Sequence, residues 1–308
     1  MRAEGRRGGV TNQTIRLAVI SEGTSSWPLY VAEAHGLFAG AGIKVDMTIT
    51  GSSVKQLEQL VCGGYDIGFQ QSDHVVRAVE GGDDLFAFMA FAHAPELSLV
   101  AAPDIASIAD LRGKIIAVDG ARTGYALLLR QLLADHGLTE NDYTMQEFGG
   151  SQERQDAMRN AAGVATLLNP PFDRQLFADG FRSLGSTWDF FPSYPGPVGA
   201  ARRAWAAQHG DALAAFIGAM YAAFAWLKDA SNKAAAIAVL PSRLNMDRDV
   251  AAAAFDDYTR HPVPEITAQG MREVIDVVWN AEGYRGPKGA AEKYLDLAYA
   301  QRAQALRA

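Results

Sequence analysis

The sequence predicts a mixed α/β protein of two lobes with a helical C-terminal region, and three observations carry that expectation. Short apolar segments alternate with helical patterns through the first half of the chain, its 308 residues are too many for one core, and its punctuation repeats after 99 residues. With 49% apolar and 20% charged residues the composition is that of a globular protein, and beyond about 250 residues a single core tends to split.

Residues 15–20, 43–49, 66–69 and 85–92 are short, apolar or alternating, and rich in β-branched or aromatic side chains, which reads as strands. Between them, residues 28–35, 53–62 and 72–80 carry helical spacing. Gly36, Gly63 and Gly81 follow these helices, where a left-handed C-cap favours glycine. Displaced by 99 residues, Ile15 falls on Lys114, Gly51-Ser52 on Gly150-Ser151, Gly64 on Gly163 and Gly81 on Gly180. The second copy places helices over 124–136 and 152–161. Residues 188–198 read as a Pro/Gly/aromatic loop, and everything from 201 onward as helical, with helices over 211–229, 232–240, 247–258, 267–282 and 290–307. The expected division is a first lobe from 1–100, a second from 101–192, and a return of 193–308 to the first.

Twenty-eight Lys and Arg against 35 Asp and Glu give a net charge of −7, so no overall attraction draws the protein to nucleic acid or anionic lipid. Cys62 is the single cysteine: it makes no internal disulfide and no zinc site by itself, and its position at a helix end reads as a small buried residue. Residues 1–13 carry Arg2, Arg6 and Arg7 but no apolar run of the kind a secretory signal needs. No segment reads as a membrane span. No cofactor or metal is expected, and the chain reads as a monomer.

Ligands of open α/β sheets sit beyond the carboxyl ends of the strands, where loop amides and helix N-termini converge. The loops at 22–27, 51–53 and 70–73, and their counterparts at 120–123, 149–152 and 169–171, are rich in hydroxyl, amide and glycine. The ligand-binding candidates are Ser25, Ser26, Trp27, Ser52, Gln71, Ser72 and Asp73 in the first copy, with Arg122, Thr123, Tyr125, Ser151 and Asn169 in the second. Arg122 is the expected anchor for an anionic group, because a guanidinium fork matches a carboxylate or sulfonate. Trp27, Tyr125 and Tyr194 stack on a ligand or pack the lobes; Glu153 and Arg154 pair with each other, face solvent or act at the site. His74 follows Asp73 at a helix start and His93 lies near a lobe crossing; each is either an acid–base group or a packing residue. His35, His136, His209 and His261 read as surface residues.

The run Trp27-Pro28-Leu29-Tyr30-Val31-Ala32-Glu33-Ala34-His35-Gly36-Leu37-Phe38, then Gly42-Ile43-Lys44-Val45, resembles the opening of the nitrate/sulfonate/taurine-type ABC transporter substrate-binding proteins. Gly64-Tyr65-Asp66-Ile67-Gly68, Ile108-Ala109-Asp110-Leu111-Arg112-Gly113-Lys114 and Gly180-Phe181 with Leu184 extend the resemblance over about residues 14–285. It implies a type II periplasmic-binding-protein fold hinged near 92–102 and 186–198, an exported protein, a small-molecule ligand and an ABC permease as partner. The ligand expected is a small organic anion or heteroaromatic compound of the sulfonate, aromatic carboxylate or pyrimidine type. Cytoplasmic decarboxylases, desulfinases and a pyrimidine synthase share the fold, so an aromatic-acid decarboxylase or related lyase using His74 or His93 is the alternative. Read as the true start, residues 1–13 favour that cytoplasmic alternative, whereas Ser25, Ser26 and Trp27 stand where the desulfinases need a cysteine nucleophile.

Overall fold

A computed structural model describes residues 13–94, 97–121, 123–170, 172–244 and 247–305. The arginines at 2, 6 and 7 and the expected anchor Arg122 lie outside the described residues. The chain divides into a first unit of residues 1–92, 197–266 and 294–308 and a second of 93–196 and 267–293.

The first unit opens with β1 (Gln13–Val19), α1 (Trp27–Ala34), α2 (Leu37–Gly40), β2 (Ile43–Ile49), α3 (Ser53–Val61), β3 (Ile67–Gln71), α4 (Ser72–Glu80) and β4 (Leu85–Ala90). The second is built from β5 (Ser98–Ala101), β6 (Ile115–Val118), α5 (Gly124–Asp135), β7 (Thr144–Glu147), α6 (Ser151–Arg159), β8 (Ala165–Leu168), α7 (Phe172–Ala178), β9 (Arg182–Ser186) and α8 (Thr187–Phe190). The chain then returns through β10 (Pro197–Arg202), α9 (Arg203–Gln208), α10 (Gly210–Lys228), α11 (Lys233–Leu244) and α12 (Arg248–Arg260). It supplies α13 (Ala268–Glu282) to the second unit and ends in the first with α14 (Ala298–Ala305).

The internal repeat becomes a repeated topology. One sheet has the order β2-β1-β3-β10-β4 and the other β7-β6-β8-β5-β9, the same arrangement with each strand replaced by its counterpart. In each, the second strand of the order, β1 or β6, pairs in parallel with both neighbours. The fourth strand runs antiparallel to those on either side. That fourth strand is the part of the topology the sequence reading missed. β5 lies in a segment expected to be a hinge, and β10 spans the end of an expected loop and the start of an expected helix. Both are short and made largely of Ala, Gly, Ser and Val, and their middles are buried, so no polar–apolar alternation marks them.

Three further expectations are corrected. Gly81 has φ −72, and Gly82, at φ 100, takes the left-handed position after α4. The expected helix over 290–307 is broken: Leu295 bridges Ala87 at the edge of β4, and only α14 and a single turn at Ala291–Lys293 are helical. The C-terminal helices do not all return to the first unit, because α13 packs on α5, placing Val277 in the second unit's core and donating from Asn280 Nδ2 to Gln131 Oε1 at 2.5 Å. The two units meet along the chain at 92/93 and 196/197, beside the expected boundaries at 100/101 and 192/193.

α10 has 19 residues and is apolar enough to pass for a membrane span. Its Leu213, Phe216, Ile217, Met220, Phe224 and Leu227 are instead buried in the first unit's core. Each large side chain so removed from water contributes roughly 1.5–3 kcal/mol. Phe216 stacks on Phe38 with ring centroids 5.6 Å apart, which ties α10 to the short α2.

Candidate functional site

Within each unit the loops after the parallel strands bring the expected residues to one end of the sheet. In the first unit, Ser52 is the N-cap of α3 and its side chain accepts from Lys55 N at 3.3 Å. Beneath it, Gln56 is buried, donating from Nε2 to Phe69 O at 2.8 Å and accepting from Thr50 Oγ1 at 3.0 Å. These bonds splice the loop after β2 to β3. Ser25 is exposed and Ser26 buried at the entry to α1.

Trp27 is a core residue rather than a stacking surface. It is 0% exposed, its indole N–H donates to Ala236 O at 3.2 Å, and its ring meets Phe255 and Tyr258 at 5.8 and 5.9 Å. Cys62, expected to be buried, is exposed at the C-cap of α3.

Gln71 is exposed at the end of β3, while Ser72 and Asp73 are buried in the first turn of α4. Asp73 pairs with Arg77 one turn on, and its Oδ2 lies 3.9 Å from Nε2 of His74. The other ring nitrogen, Nδ1, is 3.2 Å from Gln70 Oε1. One ring nitrogen therefore meets an acceptor at hydrogen-bond distance and the other only a carboxylate 3.9 Å away, whose charge favours a protonated ring. Burial acts the other way and is the largest effect: it lowers the His74 pKa, Asp73 raises it, and Arg77 lowers it again. Sequence reading saw the Asp-His neighbours; Gln70 and Arg77 complete a four-residue chain.

In the second unit, Thr123 caps α5, accepting from Ala126 N at 3.2 Å while its hydroxyl donates to Asp119 Oδ1 at 2.6 Å. Ser151 opens α6 and donates to Asn169 Oδ1 at 2.9 Å, joining the loops after β7 and β8. The residue the sequence underrated is Arg154. Its side chain is 3% exposed, and it donates to Gly149 O and Ser151 Oγ at 3.3 Å each and stands 3.6 Å from Asp119 Oδ1. It does not pair with Glu153 at the surface; it fastens the ends of β6 and β7 from below. Burial lowers its pKa, and Asp119, Tyr125 and Glu153 oppose that effect. Burial also raises the half-buried Tyr125 phenol. His93 bridges Pro195 and its ring lies 6.0 Å from Trp188, while Tyr194 packs near Phe191 at 6.3 Å, so both belong to the packing of the second unit.

Ser52, Gln71, Ser72, Asp73 and His74 thus belong to one unit and Thr123, Tyr125, Ser151 and Asn169 to the other, as loop and helix-entry residues. A separate open groove of about 310 Å³ in the first unit, lined by Tyr30, Glu33, Ala34, Ala238, Val239 and Arg243, contains none of the expected site residues. Among the described residues, no group of three or more His, Cys, Asp or Glu side chains is placed to hold a metal ion.

The NMT1/THI5 like family matches residues 24–234. No curated protein matches the chain. Among solved structures, it resembles a protein from Methylobacillus flagellatus KT described as a periplasmic sulfonate-binding protein SsuA of an ABC transporter, with TM-score 0.76, 18% identity and 96% of each chain covered. The periplasmic aliphatic sulphonate binding protein SsuA of Escherichia coli follows at TM-score 0.70, 18% identity and 91% of each chain. The periplasmic nitrate-binding protein NrtA of Synechocystis PCC 6803 gives TM-score 0.69 and 15% identity, over 96% of this chain and 89% of that one. The two sheets, the crossing strands and the helical C-terminal region are those of the periplasmic-binding-protein fold.

Proposed function

The chain belongs to the NMT1/THI5-like family, and from that premise we propose that it is a substrate-binding protein, capturing a small organic anion or heteroaromatic compound at its strand-end loops for an ABC permease. The observation that carries this reading is the five-strand order written twice, each copy ending in loops of hydroxyl, amide and helix-entry residues. Such loops hold a polar solute by neutral donors and acceptors and release it unchanged. Fold-level likeness to sulfonate- and nitrate-binding proteins supports it.

The test is native mass spectrometry of the protein with a pooled set of sulfonates, aromatic carboxylates and pyrimidines. A stoichiometric adduct whose ligand is recovered at unchanged mass is expected. Recovery of a compound lighter by carbon dioxide or sulfur dioxide overturns the reading. Asn169→Ala, which removes one polar side chain from the second unit's loops, is expected to weaken binding by about 2- to 10-fold, the equivalent of one net hydrogen bond.

One observation favours a second reading. The Gln70–His74–Asp73–Arg77 chain gives a neutral imidazole a carboxylate neighbour, the arrangement a proton-transferring lyase uses. In that case His74→Gln abolishes turnover while leaving binding in place; a protein that returns every compound of the set intact excludes it.

A further inference from the structure

The Arg154 guanidinium is a fork of N–H donors, and its protein neighbours engage only part of it. Nη1 donates to Gly149 O and Nη2 to Ser151 Oγ, each at 3.3 Å, and Nη1 stands 3.6 Å from Asp119 Oδ1. Nε is buried and has no hydrogen-bond partner. The residue is 2% exposed, so bulk solvent does not reach that donor. An unmet donor on a buried charged group is among the costliest of orphans, and it calls for an acceptor.

Thr166, inside β8, is the second orphan. It is 0% exposed, it lies opposite Val100 and Ala117 in the sheet, and its Oγ1 has no hydrogen-bond partner. The two orphans share one space. Arg154 and Thr166 line a cavity of about 10 Å³ together with Asp119 and Tyr125, and apolar side chains such as Leu129 and Leu167 complete its wall. That matches the room a single water takes, about 10–15 Å³. A purely apolar cavity stays dry, whereas this one offers a donor-only nitrogen, a hydroxyl and a carboxylate, within the range of about two to four polar partners that fix a water.

The lining also selects the occupant. Arg154 Nε has no lone pair to offer a cation, the Asp119 carboxylate repels an anion, and there is space for one heavy atom only. What fits is a neutral oxygen that both accepts and donates. We propose that the second unit binds one ordered water here, accepting from Arg154 Nε and bonded to the Thr166 hydroxyl and the Asp119 carboxylate. Through it Arg154, which already holds the loop after β7 and the entry to α6, is tied to the middle of β8 as well. The site is a fixed part of the second unit, and it stands whether or not the loops above it bind a solute.

The test pairs a high-resolution crystal structure of the full chain, grown without added ligand, with one substitution. Density for a single oxygen is expected within about 3.2 Å of both Arg154 Nε and Thr166 Oγ1. Thr166→Val keeps the shape and β-branching of the strand residue and removes only the hydroxyl. Its effect on thermal unfolding has opposite signs for a wet and a dry cavity. Around a bound water, valine strips away one of the water's partners, and the midpoint is expected to fall by about 2–4 °C, on the order of one net hydrogen bond. In a dry cavity it removes an orphaned hydroxyl, and the midpoint stays or rises. A cavity without density, an Arg154 side chain turned so that Nε meets a protein acceptor, or a variant at least as stable as the parent overturns the inference.

Discussion

Trp27 holds three helices at once: it begins α1, bonds to the backbone of α11 at Ala236, and packs its ring against Phe255 and Tyr258 of α12. Trp27→Phe removes the donor and part of the ring, so the first unit is expected to lose about 1–3 kcal/mol in urea unfolding. Ligand affinity of the folded variant should be unchanged; a large loss of affinity at preserved stability would return Trp27 to the binding site. His74 gives a pH prediction. Its folded pKa lies below the ordinary 6.5, so as pH falls through that value the unfolded chain takes a proton that the native ring resists. Stability therefore declines from about pH 6.5 downward until the native ring also protonates, and His74→Gln should flatten that limb in denaturant titrations at pH 5 and 7. Ser52 and Thr123 were legible in the sequence as residues of loops that lead into helices, because such a loop and its helix are neighbours in the chain; their capping bonds appear only in the structure. Trp27 was not, because its acceptor lies 209 residues away. The same distance problem hid Arg154, whose carboxylate partner sits across the sheet on Asp119.

The crossing strands are the elements with least tolerance. In β10, a Cβ on Gly199 would stand 2.6 Å from the ring of Phe88, itself 0% exposed in β4, at the point where the β10–β4 register shifts. Gly199→Ala must push a sealed aromatic or bend the strand, and a cost of about 1–3 kcal/mol is expected from thermal unfolding. A variant as stable as the parent would mean that β4 can move aside freely. The amphipathic spacing of α13 was readable, but not its partner, since an apolar face states only that it must be covered. Val277 settles that locally by entering the second unit's core. Val277→Ala is expected to raise amide hydrogen exchange in α5 and its neighbours in the second unit and to leave β1 and β3 protected, a pattern that all-round loosening would not produce.

At the scale of the whole molecule, the 99-residue repeat was legible because its glycines and serines mark turns, and turns are local. The strands that complete each sheet were not, because each stands outside its copy: β10 follows the second repeat yet joins the first sheet, and β5 precedes the second repeat yet sits between that repeat's last two strands. Neither unit is therefore finished until the chain is nearly finished. The second lacks α13 until residue 282 is in place. The first has β4 as an edge strand until Tyr294 and Leu295 arrive. Ala87 N then donates to Tyr294 O at 2.8 Å, Asp296 N to Ala87 O at 2.9 Å, and the Tyr294 hydroxyl to Glu80 at 2.5 Å. A chain ending at Ile266 would keep both repeats and twelve of the fourteen described α-helices, and still leave an apolar face of α5 bare in one unit and an unpaired strand edge in the other. It is expected to lose cooperative thermal unfolding and to show collapsed amide dispersion by NMR, despite retaining helical circular dichroism. If that truncated chain instead unfolds in one sharp transition with native-like dispersion, the C-terminal 42 residues are an accessory, and the two sheets with their crossing strands suffice to specify the fold.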